Sequence, residues 1–409
     1  MSPDTIAAIA TPPGRGAVAI VRISGDRAME IARRLSGFDP APGRARFARL
    51  AADDALVVAF AAPRSYTGED VVEIQCHGGS IAPRRVLDAA LAAGARLARR
   101  GEFTERAFLN GKLSYEQCRS VLDMIDAKTV RAAEDAFAGL KNERARAARR
   151  IYGELVDCSA AVEHALDVDE GELPDGFLDG VKSRAAGIAA GIAAEIAKAK
   201  EGKILRNGAM FVLAGAPNAG KSSLMNALLK ENRAIVSETP GTTRDFIEEW
   251  LDLDGWPVRL VDTAGIRDAA DAVESEGVRR TGELVAKADV VVALDCEIEA
   301  KSVIAVHAKC DLGRAACGAI NVSSVTGEGL DELKREMLAR LDGCVADAGV
   351  DGQAAALAEI SAALDGLPDD PVLVANRLRS AASRLGEELG ATYSEDMLDR
   401  LFSRFCVGK

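Results

Sequence analysis

Residues 215–222 read Gly215-Ala216-Pro217-Asn218-Ala219-Gly220-Lys221-Ser222 and fit the pattern GxxxxGK[ST]. A short apolar run, 210–214, precedes them, and a helical pattern over 222–229 follows. Strand, glycine-rich turn and helix in that order let backbone N–H groups turn inward around phosphate oxygens, at a helix N-terminus that favours negative charge. Lys221 is placed to reach the β- and γ-phosphates and the Ser222 hydroxyl to ligate Mg²⁺, with Ala219, Gly220 and Ser223 completing the turn. Two further apolar runs, 258–261 and 289–294, predict strands. The rhythm is that of a parallel α/β sheet.

Working outward, Asp262-Thr263-Ala264-Gly265 ends the strand at 258–261. Its Asp suits the water shell of the metal, and Gly265 can offer an N–H to the γ-phosphate. Between the two motifs lies Gly241-Thr242-Thr243-Arg244-Asp245, whose Thr243 can complete the Mg²⁺ shell. The three motifs in this order predict a GTPase.

Base selection rests on Ala308-Lys309-Cys310-Asp311, where such proteins usually carry Asn-Lys-x-Asp. Asp311 keeps the carboxylate that accepts both guanine N–H donors, and Lys309 can pack its stem along the base. Ala308 lacks the amide that would tie the loop, a loss of ~1–3 kcal/mol if a polar partner goes unmet. Ser323 and Ser324, in Ser323-Ser324-Val325-Thr326-Gly327-Glu328-Gly329, can supply the remaining contact. Guanine is favoured over adenine with reduced margin. About eight residues separate Leu294 from Val303, whereas a helical crossover between parallel strands needs a dozen or more. The expectation is a missing helix and a trimmed sheet edge there.

The rest of the chain differs in texture. Residues 1–117 mix β-type runs (17–23, 70–75) with Gly/Pro turns and predict an α+β domain. Residues 118–207 are rich in Ala, Arg, Glu and Leu. Ile188, Ile192 and Ile196 recur at helical spacing, weakened by Gly187 and Gly191, and the acidic stretch 167–176 reads as a loop. Helical texture returns after residue 343. A P-loop GTPase domain at 208–343, inserted into a helical domain of 118–207 plus 344–409, accounts for that order.

With 51 basic and 63 acidic side chains the net charge is −12, which excludes a protein that coats nucleic acid by bulk charge. The basic run 141–150 reads as a solvated helix face. No run approaches the ~20 apolar residues of a membrane span, and no signal-peptide pattern opens the sequence. The eight cysteines include no CxxC pair. These features give the expectation of an intracellular, reducing, cytoplasmic location.

Ile266 stands where many small GTPases place a water-orienting Gln, so another group must act. Here a resemblance becomes specific. The chain resembles the MnmE (TrmE) family of tRNA-modifying GTPases through Thr5-Ile6, Pro12-Pro13-Gly14-Arg15-Gly16, Arg22-Ile23-Ser24-Gly25 and Ser65-Tyr66-Thr67-Gly68-Glu69-Asp70. The match continues through His77-Gly78-Gly79, the run Gly101-Glu102-Phe103-Thr104-Glu105-Arg106-Ala107-Phe108-Leu109-Asn110-Gly111-Lys112 and the terminal Phe405-Cys406-Val407-Gly408-Lys409. These segments lie outside the shared GTPase core.

The resemblance implies a multidomain α/β and α+β fold: an N-terminal tetrahydrofolate-binding α+β domain, a central helical domain and an inserted Ras-like GTPase domain with a parallel sheet. It implies K⁺ at Asn218, Ser237, Thr239 and Thr242, with Gly241 in the same loop, and a cation near the β- and γ-phosphates offsets charge as an arginine finger would. It places the water-orienting acid at Glu274. It implies a 5-formyl- or methylene-tetrahydrofolate held by Arg22, Glu73, Lys112 and Lys409, groups that suit a pterin ring and a glutamate tail. It leaves Cys406 without an assigned role. It further implies a homodimer and a complex with the flavoprotein MnmG (GidA). Together the two act on C5 of the wobble uridine of certain tRNAs, adding a carboxymethylaminomethyl or aminomethyl group.

Two rivals fit the GTPase core alone. One is a ribosome-assembly or signalling switch; the other is a family member whose GTPase has decayed, a reading motivated by Ala308 and the short 294–303 segment.

Overall fold

The computed structural model describes residues 4–166, 176–231, 247–263, 274–315, 318–350, 352–389, 398 and 401–408. The chain divides into two compact units: Met1–Leu122 with Gly139–Asn142 and Thr392–Lys409, and Asp123–Ala138 with Glu143–Ala391.

The first unit is built on a six-stranded sheet. Its strands are β1 (Ile6–Ile9), β2 (Val18–Ser24), β3 (Ala45–Arg49), β4 (Asp54–Phe60), β5 (Val71–His77) and β6 (Arg96–Leu97), in the order β3-β4-β5-β2-β1-β6. All neighbours are antiparallel except β1 and β6. Period-2 alternation sends Val21, Ile23, Val57, Val72 and Ile74 into one core with Ile31 of α1 (Ala28–Ser36) and Val86 of α2 (Ala82–Ala92). The opposite face holds Ile6 and Ala8 against Phe103 of α3 (Glu102–Leu109). The glycines of the quoted motifs are explained by close approach. A Cβ on Gly78 would stand 2.1 Å from the Gly16 carbonyl oxygen, and one on Gly25 2.7 Å from that of Asp4.

Helices α4 (Tyr115–Asp126), α5 (Val130–Leu140), α6 (Glu143–Leu166) and α7 (Phe177–Asn207) follow. The basic run 141–150 starts in a turn, with α6 beginning at Glu143. In α7 the two glycines do not interrupt the helix. Ile188 and Ile192 are buried against Leu155 and Ile360, and burying two isoleucines at ~1.5–3 kcal/mol each outweighs ~1 kcal/mol for each glycine. Of the predicted loop 167–176, all but Gly176 lies outside the described residues.

The second sheet contains β7 (Ala209–Gly215), β8 (Ile247–Leu253), β9 (Trp256–Asp262), β10 (Val290–Leu294), β11 (Val303–Ala308) and β12 (Ile320–Val322), ordered β12-β11-β10-β7-β9-β8. Only β8 is antiparallel to its neighbour. Helices α8 (Lys221–Glu231), α9 (Glu274–Lys287) and α10 (Leu330–Asp347) accompany it. Leu224 and Leu228 of α8 and Leu333 and Met337 of α10 pack on Phe211, Leu213, Val292 and Leu294. The P-loop strand β7 is therefore central and buried along its length, as a parallel strand should be. Helices α11 (Gly352–Leu364) and α12 (Pro371–Leu389) close a helical core with α6 and α7.

The missing crossover helix is confirmed: 295–302 carries none, and β10 pairs directly with β11 in parallel register. The trimmed edge is not. β11 has β10 on one side and β12 on the other, so what is lost is a piece of the helical layer and not a strand.

Candidate functional site

The P-loop turns between β7 and α8. Gly220 (φ +102°) and Asn218 (φ 61°) both adopt left-handed backbone, which a glycine takes freely and an asparagine tolerates. Ala219 donates to Ala216 O at 3.2 Å. Lys221 is buried, and its Nζ donates to the Gly215 and Ala216 carbonyls at 2.9 Å each. Its ammonium thus sits inside the turn it was predicted to serve.

Ser222 Oγ donates to Asp262 Oδ2 at 2.5 Å. Asp262 is fully buried at the end of β9, and its neighbour Thr263 donates from Oγ1 to Leu213 O at 3.0 Å, fixing the end of β9 on β7. A hydroxyl and a carboxylate at one point, beside a buried ammonium, make a hard oxygen donor set that fits Mg²⁺. Ser223 is exposed one residue on.

Across the strand ends lies the base segment. Lys309 (φ 57°) leaves β11 in left-handed backbone, and its Nζ donates to Asn218 O at 2.8 Å. Its stem passes 3.8 Å from where a Cβ on Gly220 would stand. Asp311 is exposed. Cys310 N donates to Val322 O, which holds this loop beside the next one. There Ser323 is buried and its Oγ accepts from Val325 N and Thr326 N at 3.3 and 3.2 Å; Ser324 is half-buried. Arg314 and Glu328 pair between the two loops.

The structure thus gathers Asn218, Lys221, Ser222, Asp262, Thr263 and Lys309 around one turn. Ser237, Thr239, Gly241, Thr242, Thr243, Ala264, Gly265 and Lys409 lie outside the described residues, as does the side chain of Glu274, which opens α9.

A second charged site lies in the first unit. Arg22 and Glu73 face each other across β2 and β5, with Nη2 to Oε1 at 2.9 Å. The Arg22 guanidinium lies 5.5 Å from the Tyr66 ring centroid and 5.6 Å from that of Phe103, and donates to Gly408 O at 3.3 Å. Lys112 is exposed and donates to Pro63 O at 3.0 Å. Gly408 is held closely: a Cβ there would stand 2.4 Å from Ile9 O.

Beside it runs a network that residue-level reading did not single out. Glu102 is buried and accepts from Arg96, Arg106 and the Arg99 N–H, while Arg106 also reaches Asp4 and Glu69. Burial works against ionising Glu102, but the Arg96 bond, the Arg99 amide and the Arg106 bond outweigh it and hold the carboxyl down at about 2. The signal was present as charges of both signs within 99–106, but their convergence depends on the β1–β6 pairing. Asp295, which opens the short crossover, and His307, near the end of β11, were also missed; they meet at 2.5 Å.

Comparison with known proteins bears on this arrangement. The profile described as the GTP-binding protein TrmE N-terminus matches residues 5–112, and that of the MnmE helical domain matches 116–406. The tRNA modification GTPase MnmE of Symbiobacterium thermophilum is 43% identical, covering 100% of both chains. The chain belongs to the MnmE family. Its likeness to MnmE of Geobacter sulfurreducens is 40% over 99% of each chain, and to that of Neisseria meningitidis serogroup B also 40% over 99% of each. The Symbiobacterium alignment spans 463 positions against 409 residues, so full coverage is reached with gaps in this MnmE-family chain. Among solved structures, the G domain of the T. maritima FeoB iron transporter aligns at 26% identity and a TM-score of 0.25, covering 32% of this chain and 98% of that one.

Proposed function

We propose that this chain is a K⁺-dependent GTPase that works with the flavoprotein MnmG (GidA), in the cytoplasm and as a homodimer. The reaction installs a carboxymethylaminomethyl or aminomethyl group at C5 of the wobble uridine of certain tRNAs, using a tetrahydrofolate one-carbon unit. The division into 1–117, 118–207 plus 344–409, and 208–343 belongs to the same reading. The observation that carries it is the pairing of Ser222 with Asp262 beside the buried Lys221.

In this reading Lys221 binds the β- and γ-phosphates, Ser222 and Thr243 hold Mg²⁺, and Asp262 orients that site. Mg²⁺ bound there neutralises charge on the phosphate oxygens. Asn218, with Ser237, Thr239 and Thr242, provides oxygen ligands for K⁺. Ile266 is apolar and cannot orient water, which supports Glu274 in that role. Asp311, Lys309, Ser323 and Ser324 read the base. The Arg22–Glu73 pair, flanked by two aromatic rings, supports the folate site: a guanidinium and a carboxylate with π-faces suit a polar fused ring bearing a glutamate tail. Lys112 and Lys409 are assigned to the same ligand.

The deciding experiment is GTP turnover in KCl against NaCl with Mg²⁺ present, with and without the flavoprotein. Stimulation by K⁺ that disappears in Glu274→Ala, with GTP binding retained, supports the reading. Equal, negligible rates in both salts refute it in favour of a decayed GTPase. Tetrahydrofolate binding separates the modification enzyme from a signalling switch, which would bind none.

A further inference from the structure

The crossover 295–302 has lost a helix, and its first residue has another partner. Asp295 follows β10 directly in left-handed backbone (φ 50°), with its N–H on Val306 O at 3.0 Å. Its carboxylate meets two groups of the base loop's entry: His307 Nδ1 at 2.5 Å and the Ala308 N–H at 3.2 Å. The other ring nitrogen of His307, Nε2, lies 2.9 Å from Gly313 O, at the loop's exit. One carboxylate and one imidazole therefore bracket the segment 308–313 at both ends. From inside that segment Lys309 reaches the P-loop at Asn218 O.

We propose that the Asp295–His307 pair is the positioning device of the base-reading loop in this chain, aligning Asp311 with guanine in place of the side-chain amide that Ala308 lacks. The inference rests on the guanine-nucleotide reading given above. An exposed ion pair on its own contributes little. This one differs in what it holds: its two side chains also bind main-chain N–H and C=O groups of the segment that carries Asp311. Removing either side chain unpins backbone as well as a partner charge. The chemistry of the ring agrees. Both nitrogens face acceptors, which only the doubly protonated imidazole satisfies together, and the Asp295 bond, followed by the Gly313 carbonyl, raises the His307 pKa. Asp295 and His307 are positioning residues; neither is given a role at the phosphates.

The test is displacement of fluorescently labelled GDP from the full chain by GDP, IDP and ADP. IDP lacks the exocyclic amine, one of the two donors read by Asp311, so the GDP/IDP ratio reports how well that carboxylate is aimed. His307→Ala is expected to raise the Kd for GDP about tenfold, the scale of one lost hydrogen-bonding link, and to bring GDP and IDP closer together. In turnover the loss falls on KM, with kcat at saturating GTP retained. Asp295→Asn, which keeps an acceptor for Ala308, gives a smaller loss and serves if the alanine variant does not fold. Ala308→Asn restores the missing amide and makes His307→Ala nearly silent. A Kd within twofold of the parent in both His307→Ala and Asp295→Asn, with an unchanged GDP/IDP ratio, overturns the proposal. A parent chain that binds no GDP overturns the guanine reading itself, a distinguishable failure.

Discussion

Ser222 at the start of α8 and Asp262 at the end of β9 share a 2.5 Å hydrogen bond across 40 residues of sequence. The bond joins the turn between β7 and α8 to the end of β9. Asp262→Asn keeps the shape of the side chain but removes its charge. We expect the Mg²⁺ concentration for half-maximal GTPase activity to rise about 10- to 100-fold, the usual cost of losing a group that orients a metal site. Magnesium titration of turnover measures it; an unshifted midpoint removes Asp262 from the metal's surroundings.

Arg22→Ala leaves Glu73, a mostly buried carboxylate, without its partner. A fall in stability of about 1–3 kcal/mol and loss of tetrahydrofolate binding are expected together. Arg22→Lys should keep the ion pair and most of the stability, but lose the planar fork that also reaches Gly408 O. Equilibrium dialysis alongside thermal melting separates the two effects. Retained folate affinity in the alanine variant places the ligand elsewhere.

The Glu102 network sets an acid limit. Its carboxyl is held at about 2 against an ordinary value of 4.5, so the stabilisation it gives is complete above pH 4.5 and is lost as the pH falls toward 2. Melting midpoints measured between pH 7 and pH 2.5 should drop in that window for the parent chain. Glu102→Gln should start lower at pH 7 and show a flatter acid slope; parallel curves for the two proteins contradict the assignment.

Gly408→Ala asks a Cβ to occupy a point 2.4 Å from Ile9 O, at φ +104°. A penalty of ~1–3 kcal/mol confined to the end of the chain is expected. Hydrogen exchange over residues 401–408 should speed up and tetrahydrofolate affinity should fall, while GTP turnover stays at the parent level. Unchanged exchange there means the contact relaxes without cost.

Much of this was legible in the residues. The P-loop announces itself because its geometry demands glycine and lysine at fixed places, and the strands β7, β9 and β10 are short apolar runs with few other readings. The absent crossover helix followed from counting. What was hidden depended on register. Asp295 meets His307 only because β10 lies beside β11, and nothing local in either residue signals the other. The helix of α7 was read from its isoleucines but its glycines counted against it: intrinsic propensity is local, whereas the burial of Ile188 and Ile192 that overrides it is supplied by α6 and α11. Motifs such as His77-Gly78-Gly79 could be recognised as signatures, but their physical reason, the pressing of Gly78 on Gly16, needs the folded loop.

Arg22 and Gly408, bonded in the fold, are 386 positions apart in the sequence. Closing a loop of that length costs chain entropy that grows only with the logarithm of its size. The contact between a strand of the N-terminal sheet and residue 408 can therefore form late in folding, after the sheet is in place, at little more entropic cost than a much shorter closure.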